Sequence, residues 1–229
     1  MQFEVGPAGE LGMRIAFQSP PEPSLTRLLL SIQERAKSCF GNGLIDSVVG
    51  YTTLTLFFAG KRFERDRTLD WLEREGNKAT PAAEPSDELP TVTLPTFYHP
   101  SVAPDLEWIA DSKSLSIDAV IDLHSAPLYF AYATGFAPGF CYLGTLPAQL
   151  ATPRLATPRK TVTAGTVAIA DQQTAVYPCD SPGGWHLIGA CPTVLFDIQR
   201  ATPALLYVGA RVKFEPVSES VYRALRSRG

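Results

Sequence analysis

The sequence GFAPGFCYLG, Gly135 to Gly144, contains three glycines and three aromatic residues in ten positions. It lies in a region, from Pro127 onward, where short β-branched and aromatic runs alternate with glycine and proline turns. The runs cover residues 128–133, 161–169, 174–177, 193–198 and 211–214. Many short strands separated by such turns are typical of a closed or nearly closed β-structure. The second part of the chain is therefore predicted to be a β-barrel.

Two short helices are predicted just before this barrel. The first covers residues 104–110 and starts with Pro104, because proline suits the first turn of a helix. The second covers residues 117–124, and Ser116 is in the position of an N-cap.

The N-terminal part shows the order β-α-β-β-α-β. A strand is predicted at residues 13–17, and an apolar helix stripe then runs from an N-cap at Ser24 to a stop at Gly41. The remaining predicted elements are strands at 44–49 and 53–58, a helix at 66–75 and a strand at 91–94. This order matches the split βαβ pattern of ferredoxin-like domains.

Residues 80–90 contain three prolines and three acids, a composition that predicts a loop or linker. We place a domain boundary there, with a small α/β domain at 1–88 and a β-barrel domain at 89–229. The strand at 91–94 follows this boundary but could still join the first sheet. The predicted fold class is α+β.

Composition argues against several functions. The 229 residues are 45% hydrophobic and carry a net charge of −3, without a basic cluster or a long apolar run. Neither nucleic acid nor a membrane is therefore an expected partner. The N-terminal sequence does not read as a signal peptide, and the four cysteines form no C-x-x-C pair, so we expect a cytoplasmic protein with reduced thiols. No metal is predicted, because the three histidines are not closely spaced.

Three stretches could form a binding site. In the first, Gly135–Gly144, glycines permit close approach of a ligand, and Phe136, Phe140 and Tyr142 would supply its walls. A tight loop that packs its rings against the barrel is an equally good interpretation.

The second stretch repeats Ala-Thr-Pro-Arg and ends in Arg154 and Arg159, with Lys160 following. Proline restricts the backbone before each arginine, and arginine suits bidentate capture of a carboxylate or phosphate. The alternative is that each arginine pairs with a nearby acid.

The third stretch runs from Tyr177 to His186 and includes Gly183, Gly184 and Trp185, which indicates a shaped loop. Single residues elsewhere are ambiguous. His124 could be a general base or a helix cap, His186 could lie at the surface, and Cys141 is more easily a buried thiol than a nucleophile. Ser181 is weakly supported as a nucleophile. The sequence has no glycine-rich phosphate loop and so no recognisable ATP site of its own.

These motifs together resemble the family of allophanate hydrolase subunit 1 and the B subunit of 5-oxoprolinase, which includes a carboxyltransferase subdomain and a sporulation kinase inhibitor. The resemblance is strong over about residues 97–215. It is carried, in fixed order, by Pro104-Asp105-Leu106, Leu123-His124-Ser125, Gly135–Gly144, the two Pro-Arg pairs, Gln173-Thr174, Tyr177-Pro178, Ser181–Trp185, Ile188-Gly189 and Leu195-Phe196-Asp197.

The resemblance implies a cyclophilin-like β-barrel after the small α/β domain. It implies a hydrolase subunit that is active only with partners. One partner would resemble subunit 2 of allophanate hydrolase (the C component of 5-oxoprolinase), and the other would resemble a lactam-utilisation protein (the A component). The assembled complex would use ATP to open 5-oxoproline. His124 and Tyr177 would be catalytic. The residues that would bind substrate are Phe136, Phe140, Tyr142, Arg154, Arg159, Gln173, Gly183, Gly184 and Trp185.

Some positions depart from the family pattern. Ala190 and Cys191 stand where a basic residue and threonine are usual, and Ala210 stands where an aspartate is usual. Thr163 and Ala103 replace a proline and a glycine. These departures favour, as an alternative, a module that inhibits a sensor histidine kinase. A prolyl isomerase follows only from analogy with the cyclophilin fold.

Overall fold

The computed structural model describes residues 1–60, 63–80 and 90–227. Most of the predicted linker, residues 81–89, lies outside them. The chain separates into two units, Met1–Glu88 and Leu89–Gly229, each of which is described by itself.

The described residues of the first unit form a four-stranded antiparallel sheet and two α-helices. In chain order its elements are β1 (Phe3–Pro7), β2 (Gly12–Phe17), α1 (Pro23–Phe40), β3 (Leu44–Val49), β4 (Thr53–Phe58) and α2 (Arg65–Asn77). The strand order is β1-β2-β4-β3. The inward residues of β2, Met13, Ile15 and Phe17, are buried, as the alternation in the sequence predicts.

Most predicted elements of this unit are confirmed, but the predicted order β-α-β-β-α-β is wrong, because the described elements run β-β-α-β-β-α. The sequence pattern misses strand β1, because its half-buried Phe3-Glu4-Val5 shows no clear alternation. The predicted strand at 91–94 pairs within the second unit instead. Helix α1 begins at Pro23 after Glu22, so Ser24 is not its N-cap, whereas Gly41 does end the helix with φ of +49°.

The second unit contains nine strands and three α-helices among its described residues. They are β5 (Thr91–Thr96), α3 (Leu106–Ser112), α4 (Ile117–Ser125), β6 (Tyr129–Thr134), β7 (Cys141–Gly144), β8 (Arg159–Val162), β9 (Thr166–Ala170), β10 (Gln173–Val176), β11 (Ser181–Gly183), β12 (His186–Ala190), β13 (Arg211–Pro216) and α5 (Glu219–Arg226). Strands β8 and β11 form a separate two-stranded ribbon.

The other seven strands form one sheet in the order β12-β9-β10-β7-β6-β13-β5. Strand β5 pairs with β13 in parallel. At its end the amide of Phe97 donates to the backbone oxygen of Ala190 (2.8 Å), and the amide of Ala190 donates back to Phe97 (2.9 Å). Because this pair joins the two outer strands, the sheet is nearly closed into a barrel.

The barrel wall has two differently packed faces. Val167, Ile169 and Val176 point into the main core, while Ala168 and Ala175 pack in a second apolar cluster. The alternation follows from the two-residue repeat of a strand. The second face carries small alanines, so it leaves room for the large rings described below.

Several predictions for this unit need correction. Residues 193–198 form no strand, and only an isolated bridge joins Phe196 to Ala204. The run 161–169 is divided into β8 and β9 by a turn at Gly165, where φ is +83°. Strands β7, β11 and β12 and helix α5 are additions that the sequence pattern does not predict. Ser116 is confirmed as an N-cap, since its side chain accepts a hydrogen bond from the amide of Ala119.

Candidate functional site

Five rings from the predicted loops meet in one aromatic cluster: Phe136, Phe140, Tyr142, Tyr177 and Trp185. Phe140 lies at its centre. Its ring centroid is 5.1 Å from Phe136, 4.9 Å from Tyr142, 5.6 Å from Tyr177 and 5.9 Å from Trp185. All four contacts are edge-on, the arrangement that the ring quadrupole favours. The structure therefore brings the first and third predicted loops together.

The strands explain why these rings meet. Tyr142 lies on β7 and Tyr177 directly follows β10, and these strands are neighbours in the sheet. The fully buried Ala168, Ala170 and Ala175 belong to the same cluster and leave space beside the rings. Phe136 is 58% exposed, so the cluster reaches the surface there.

Gly183 allows the close approach of Tyr177. A Cβ atom at residue 183 would overlap the Tyr177 hydroxyl, while one at Gly184 would meet only ordinary contacts at 3.7 Å. Glycine at 183 is thus required by packing within the predicted site. Gly184 instead uses its backbone oxygen, which accepts a hydrogen bond from the amide of Leu155 (2.7 Å).

Arg154 lies beside the aromatic cluster. Its guanidinium lies over the ring of Trp185, 5.7 Å from the centroid. Its ion pair with Asp171 is long, at 3.9 Å, and both side chains are more than half exposed. An exposed ion pair of this length holds the arginine weakly, so its charge can bind an anion beside the aromatic cluster.

Arg159 has two partners within the protein, unlike the weakly paired Arg154, and its role as an anion ligand stays a prediction. Its Nη2 donates to Oδ1 of Asp105 at 2.6 Å, and its Nη1 donates to the backbone oxygen of Trp185 at 3.2 Å. The other oxygen of Asp105 accepts from the amide of Leu187 at 2.7 Å. Arg159 therefore holds the Trp185 loop, and Asp105 balances its charge.

Tyr177 is buried, and desolvation raises the pKa of its hydroxyl. A hydrogen bond from the Trp185 backbone and the charges of Arg154 and Arg159 oppose that shift. Since the net direction is upward, the hydroxyl stays protonated at neutral pH and can donate a hydrogen bond.

His124 lies apart from the aromatic cluster, in the barrel core. Its exposed fraction is 0%, Nδ1 is hydrogen-bonded to the Tyr98 hydroxyl (2.7 Å), and Nε2 to the Thr174 hydroxyl (2.8 Å). Desolvation lowers its pKa to about 3. A neutral imidazole with both nitrogens bonded to core side chains ties α4 to β10. The geometry thus gives His124 a structural position and separates it from Tyr177.

Other candidates occupy varied positions. Gln173 begins β10 and is partly buried, and Cys141 lies in the core, where burial raises the pKa of its thiol to about 12. His186 is buried, stacks on Trp108 at 4.8 Å and is hydrogen-bonded to the backbone oxygen of Pro153. The Ser181 hydroxyl is buried without a hydrogen-bond partner among the described residues. None of these forms a nucleophile–base pair here.

The described residues were compared with what a metal site and a membrane-spanning helix require. In residues 1–60, 63–80 and 90–227, no three His, Cys, Asp or Glu side chains lie close enough together to hold a metal ion. Within the same residues, every helix is too short or too polar to span a bilayer.

Asp105 is the site residue that sequence reasoning misses. The motif Pro104-Asp105-Leu106 stands out in the sequence, but nothing there indicates that its carboxylate meets Arg159, 54 residues away.

Comparison with known proteins gives consistent matches. Residues 3–206 match the family described as carboxyltransferase domain, subdomain C and D. The chain is 32% identical over 234 residues to the B subunit of 5-oxoprolinase from Bacillus subtilis (strain 168), covering 99% of this chain and 98% of that relative.

Two solved structures are also similar. The protein TTHA0988 is 35% identical, with a TM-score of 0.77 over 90% of this chain, but the match covers only 40% of TTHA0988. The urea carboxylase of Kluyveromyces lactis is 16% identical, with a TM-score of 0.77 over 97% of this chain and 22% of that protein. This second likeness shows a shared fold.

Proposed function

Because the chain belongs to the family of carboxyltransferase domains, subdomain C and D, we propose that it is one subunit of an ATP-dependent complex that hydrolyses an amide or lactam. The observation that carries this proposal is the match to the B subunit of a 5-oxoprolinase over nearly the whole length of both chains. The substrate class is then a small lactam carboxylate, 5-oxoproline or a close analogue.

The aromatic cluster and Arg154 suit such a substrate. A small ring can pack against Phe136 and Tyr142, while the exposed guanidinium of Arg154 binds the carboxylate. The protonated hydroxyl of Tyr177 is available as a hydrogen-bond donor toward that ring. Arg159 positions the Trp185 loop, and His124 is assigned to the core rather than to the reaction.

ATP would act in the assembled complex, with one partner like the C component of 5-oxoprolinase and one like the lactam-utilisation A component. The sequence of this chain has no glycine-rich phosphate loop, so the nucleotide is assigned to a partner. The four free cysteines suit a reducing compartment, and we place the complex in the cytoplasm. We propose a ferredoxin-like arrangement for the first unit, in which β1 is the edge strand beside β2, and a cyclophilin-like barrel for the second.

A sensor histidine kinase is the alternative partner. The motivation for it is the presence of Ala190 and Ala210, where the family usually has charged residues. Both alanines are buried, and Ala190 makes the bridge to Phe97 that nearly closes the barrel. Small apolar side chains therefore fit these positions for packing reasons, and the enzyme-complex proposal has the stronger support.

The direct test is reconstitution. The full chain is co-purified with the two partner proteins of its host, the A-like and the C-like component, and glutamate and ADP formation from 5-oxoproline and ATP are measured. We expect turnover with all three proteins and about tenfold or greater loss of kcat/KM in Arg154→Ala, because a charge-assisted hydrogen bond is lost.

Lys160→Ala is the control, since it removes an exposed cation that lies six residues after Arg154 in the chain, directly after Arg159. No turnover in a correctly assembled complex would refute the proposed reaction. Equal kinetics for Arg154→Ala and Lys160→Ala would refute the proposed site. Inhibition of kinase autophosphorylation by the isolated chain, without turnover in the complex, would support the alternative.

A further inference from the structure

A cleft separate from the aromatic cluster, here called the α5 cleft, lies between helix α5 and the turn that joins β8 to β9. Its volume is about 450 Å³, within the range of small-molecule sites. The polar side chains that line it are Ser101, Arg159, Thr161, Thr163, Thr166, Tyr222 and Arg226. No carboxylate is among the described residues that line this first cavity.

A second cavity, of about 550 Å³, adjoins the first along the same helix. The two share Ser101, Val102, Tyr222 and Arg226. Because these residues line both cavities, we treat the second as an extension of the α5 cleft, with Arg223 and Glu219 only in this extension. The α5 cleft is thus long enough for more than a single bare ion.

The two arginines come from distant parts of the chain and line the same space. Arg159 lies on β8, and its two hydrogen bonds, to Asp105 and to the Trp185 backbone, use two of its five donors. Asp105 offsets its charge but accepts from one Nη only. Donors of Arg159 are therefore left for a ligand, as far as the described residues show.

Arg226 is the second cation of the α5 cleft. Its Nη1 donates to the Tyr222 hydroxyl at 3.1 Å, and its guanidinium lies 5.9 Å from the Tyr222 ring. Arg223, one turn earlier, is ion-paired with Glu219. In the part of the chain that the structure describes, no such carboxylate lies within ion-pair distance of Arg226.

Helix α5 is anchored at its N-terminus and at the buried Tyr222, to which Arg226 is hydrogen-bonded. The Ser218 side chain caps its N-terminus by accepting from the amide of Val221. Tyr222 is buried and stacks on Phe97 with centroids 5.4 Å apart. Phe97 in turn makes the bridge that nearly closes the barrel. A pre-positioned cation binds an anion with less loss of conformational entropy.

Hydroxyl groups complete the set of donors. Ser101, Thr161 and Thr163 line the same cleft as Arg159 and Arg226. Their hydroxyl groups can donate hydrogen bonds to anionic oxygens. A tetrahedral phosphate has enough acceptor oxygens and charge to engage two guanidinium groups and several hydroxyls at once. A carboxylate, with two oxygens and one charge, uses fewer of them.

We propose that the α5 cleft binds the phosphate group of a small phosphorylated molecule, held by Arg226 and Arg159. The site goes beyond the proposed lactam-opening function and does not depend on it. Helix α5 also lies after residue 206, where the match to the family model ends, so the family assignment does not account for Arg226.

The test is a calorimetric titration of the isolated full-length chain with inorganic phosphate at low ionic strength. We expect saturable binding in the natural protein and about tenfold or greater loss of affinity in Arg226→Ala, since a hydrogen-bonded ion pair to the ligand is removed. Arg200→Ala is the control, because Arg200 is an exposed, ion-paired arginine of the same unit that lines neither cavity. Thermal unfolding verifies that both variants are folded.

Three results would overturn the proposal. One is the absence of saturable phosphate binding to the natural protein. Another is an equal loss of affinity in Arg200→Ala, which would indicate diffuse attraction to surface cations. The third is binding of glutamate as tight as that of phosphate, which would make the cleft a carboxylate site. Arg226→Lys, which keeps the charge but not the fork, should recover only part of the affinity.

Discussion

At the scale of single residues, His124 shows how burial changes the chemistry of a side chain. Its sequence position between a helix and a strand fits a general base or a cap equally well. In the core, with Tyr98 and Thr174 as partners, it is a neutral hydrogen-bonding group with a pKa of about 3. His124 consequently contributes to the stability of the fold, and we expect the free energy of unfolding to depend on pH through this residue.

We expect His124 to make unfolding easier as the pH falls. Its folded pKa of about 3 lies below the ordinary 6.5, so below pH 6.5 the unfolded chain binds a proton that the folded chain does not. The contribution of the neutral ring to stability is complete above pH 6.5 and is lost progressively toward pH 3. The slope approaches about 1.4 kcal/mol per pH unit.

Urea unfolding between about pH 7 and about pH 5 measures this slope. His124→Gln keeps hydrogen-bonding atoms but does not titrate, so its slope should be smaller by up to that amount. His99→Gln, which changes a histidine at an exposed position, serves as the control. Identical slopes for the natural protein and His124→Gln would show that His124 is not buried in this way.

At the scale of elements, one carboxylate joins a helix to two strands. Asp105 directly precedes α3, yet its side chain does not cap that helix. It pairs instead with Arg159 on β8 and accepts from Leu187 on β12. Because Arg159 also bonds to the Trp185 backbone, this carboxylate indirectly places one wall of the aromatic cluster.

Replacing Asp105 should therefore cost more than replacing a comparable surface acid. In Asp105→Asn the amide can still accept from Leu187, but the partly buried Arg159 loses its charge partner. We expect the free energy of unfolding to fall by about 1.5–3 kcal/mol, as for other hydrogen bonds to charged groups. Asp171→Asn breaks the long, exposed pair with Arg154 and should change it by less than about 1 kcal/mol. Equal effects in chemical denaturation would contradict the role given to Asp105.

At the scale of the whole molecule, the position of β5 decides where the chain can be divided. Strand β5 pairs in parallel with β13, and the residue after it, Phe97, bonds to Ala190. The barrel thus needs strand β5, which precedes helix α3 in the chain. Strands β1 to β4 form their own sheet without β5. We propose that the two units, 1–88 and 89–229, fold independently.

Two fragments test this proposal. The fragment 89–229 retains β5 and should give a dispersed amide NMR spectrum and cooperative unfolding. The fragment 99–229 lacks β5 and Phe97, so β13 loses its parallel partner and the buried Leu94 is removed from the core. It should be unfolded or lack cooperative unfolding. A folded 99–229 fragment, or an unfolded 89–229 fragment, would be contrary to this expectation.

Local features of this protein were predictable from its sequence. Helix α1 and its end at Gly41, the hairpin of β3 and β4, the cap at Ser116 and the glycine–aromatic loop all depend on residues close together in the chain. Their propensities and periodicities act over a few residues, and a single sequence displays them directly. The grouping of Phe136, Phe140 and Tyr142 into one wall was predictable for the same reason.

Tertiary structure alone decided which distant groups meet. Asp105 lies 54 residues from Arg159, so no local pattern predicts that these two side chains form an ion pair. His124 lies 50 residues from Thr174, and no local pattern predicts that this histidine is buried. The pairing of β5 with β13 spans still more of the chain. The sequence by itself determined the rings, glycines and cations of the site. The fold decided that Arg154 stays exposed while Arg159 is paired with Asp105, because burial and charge pairing depend on contacts between distant residues.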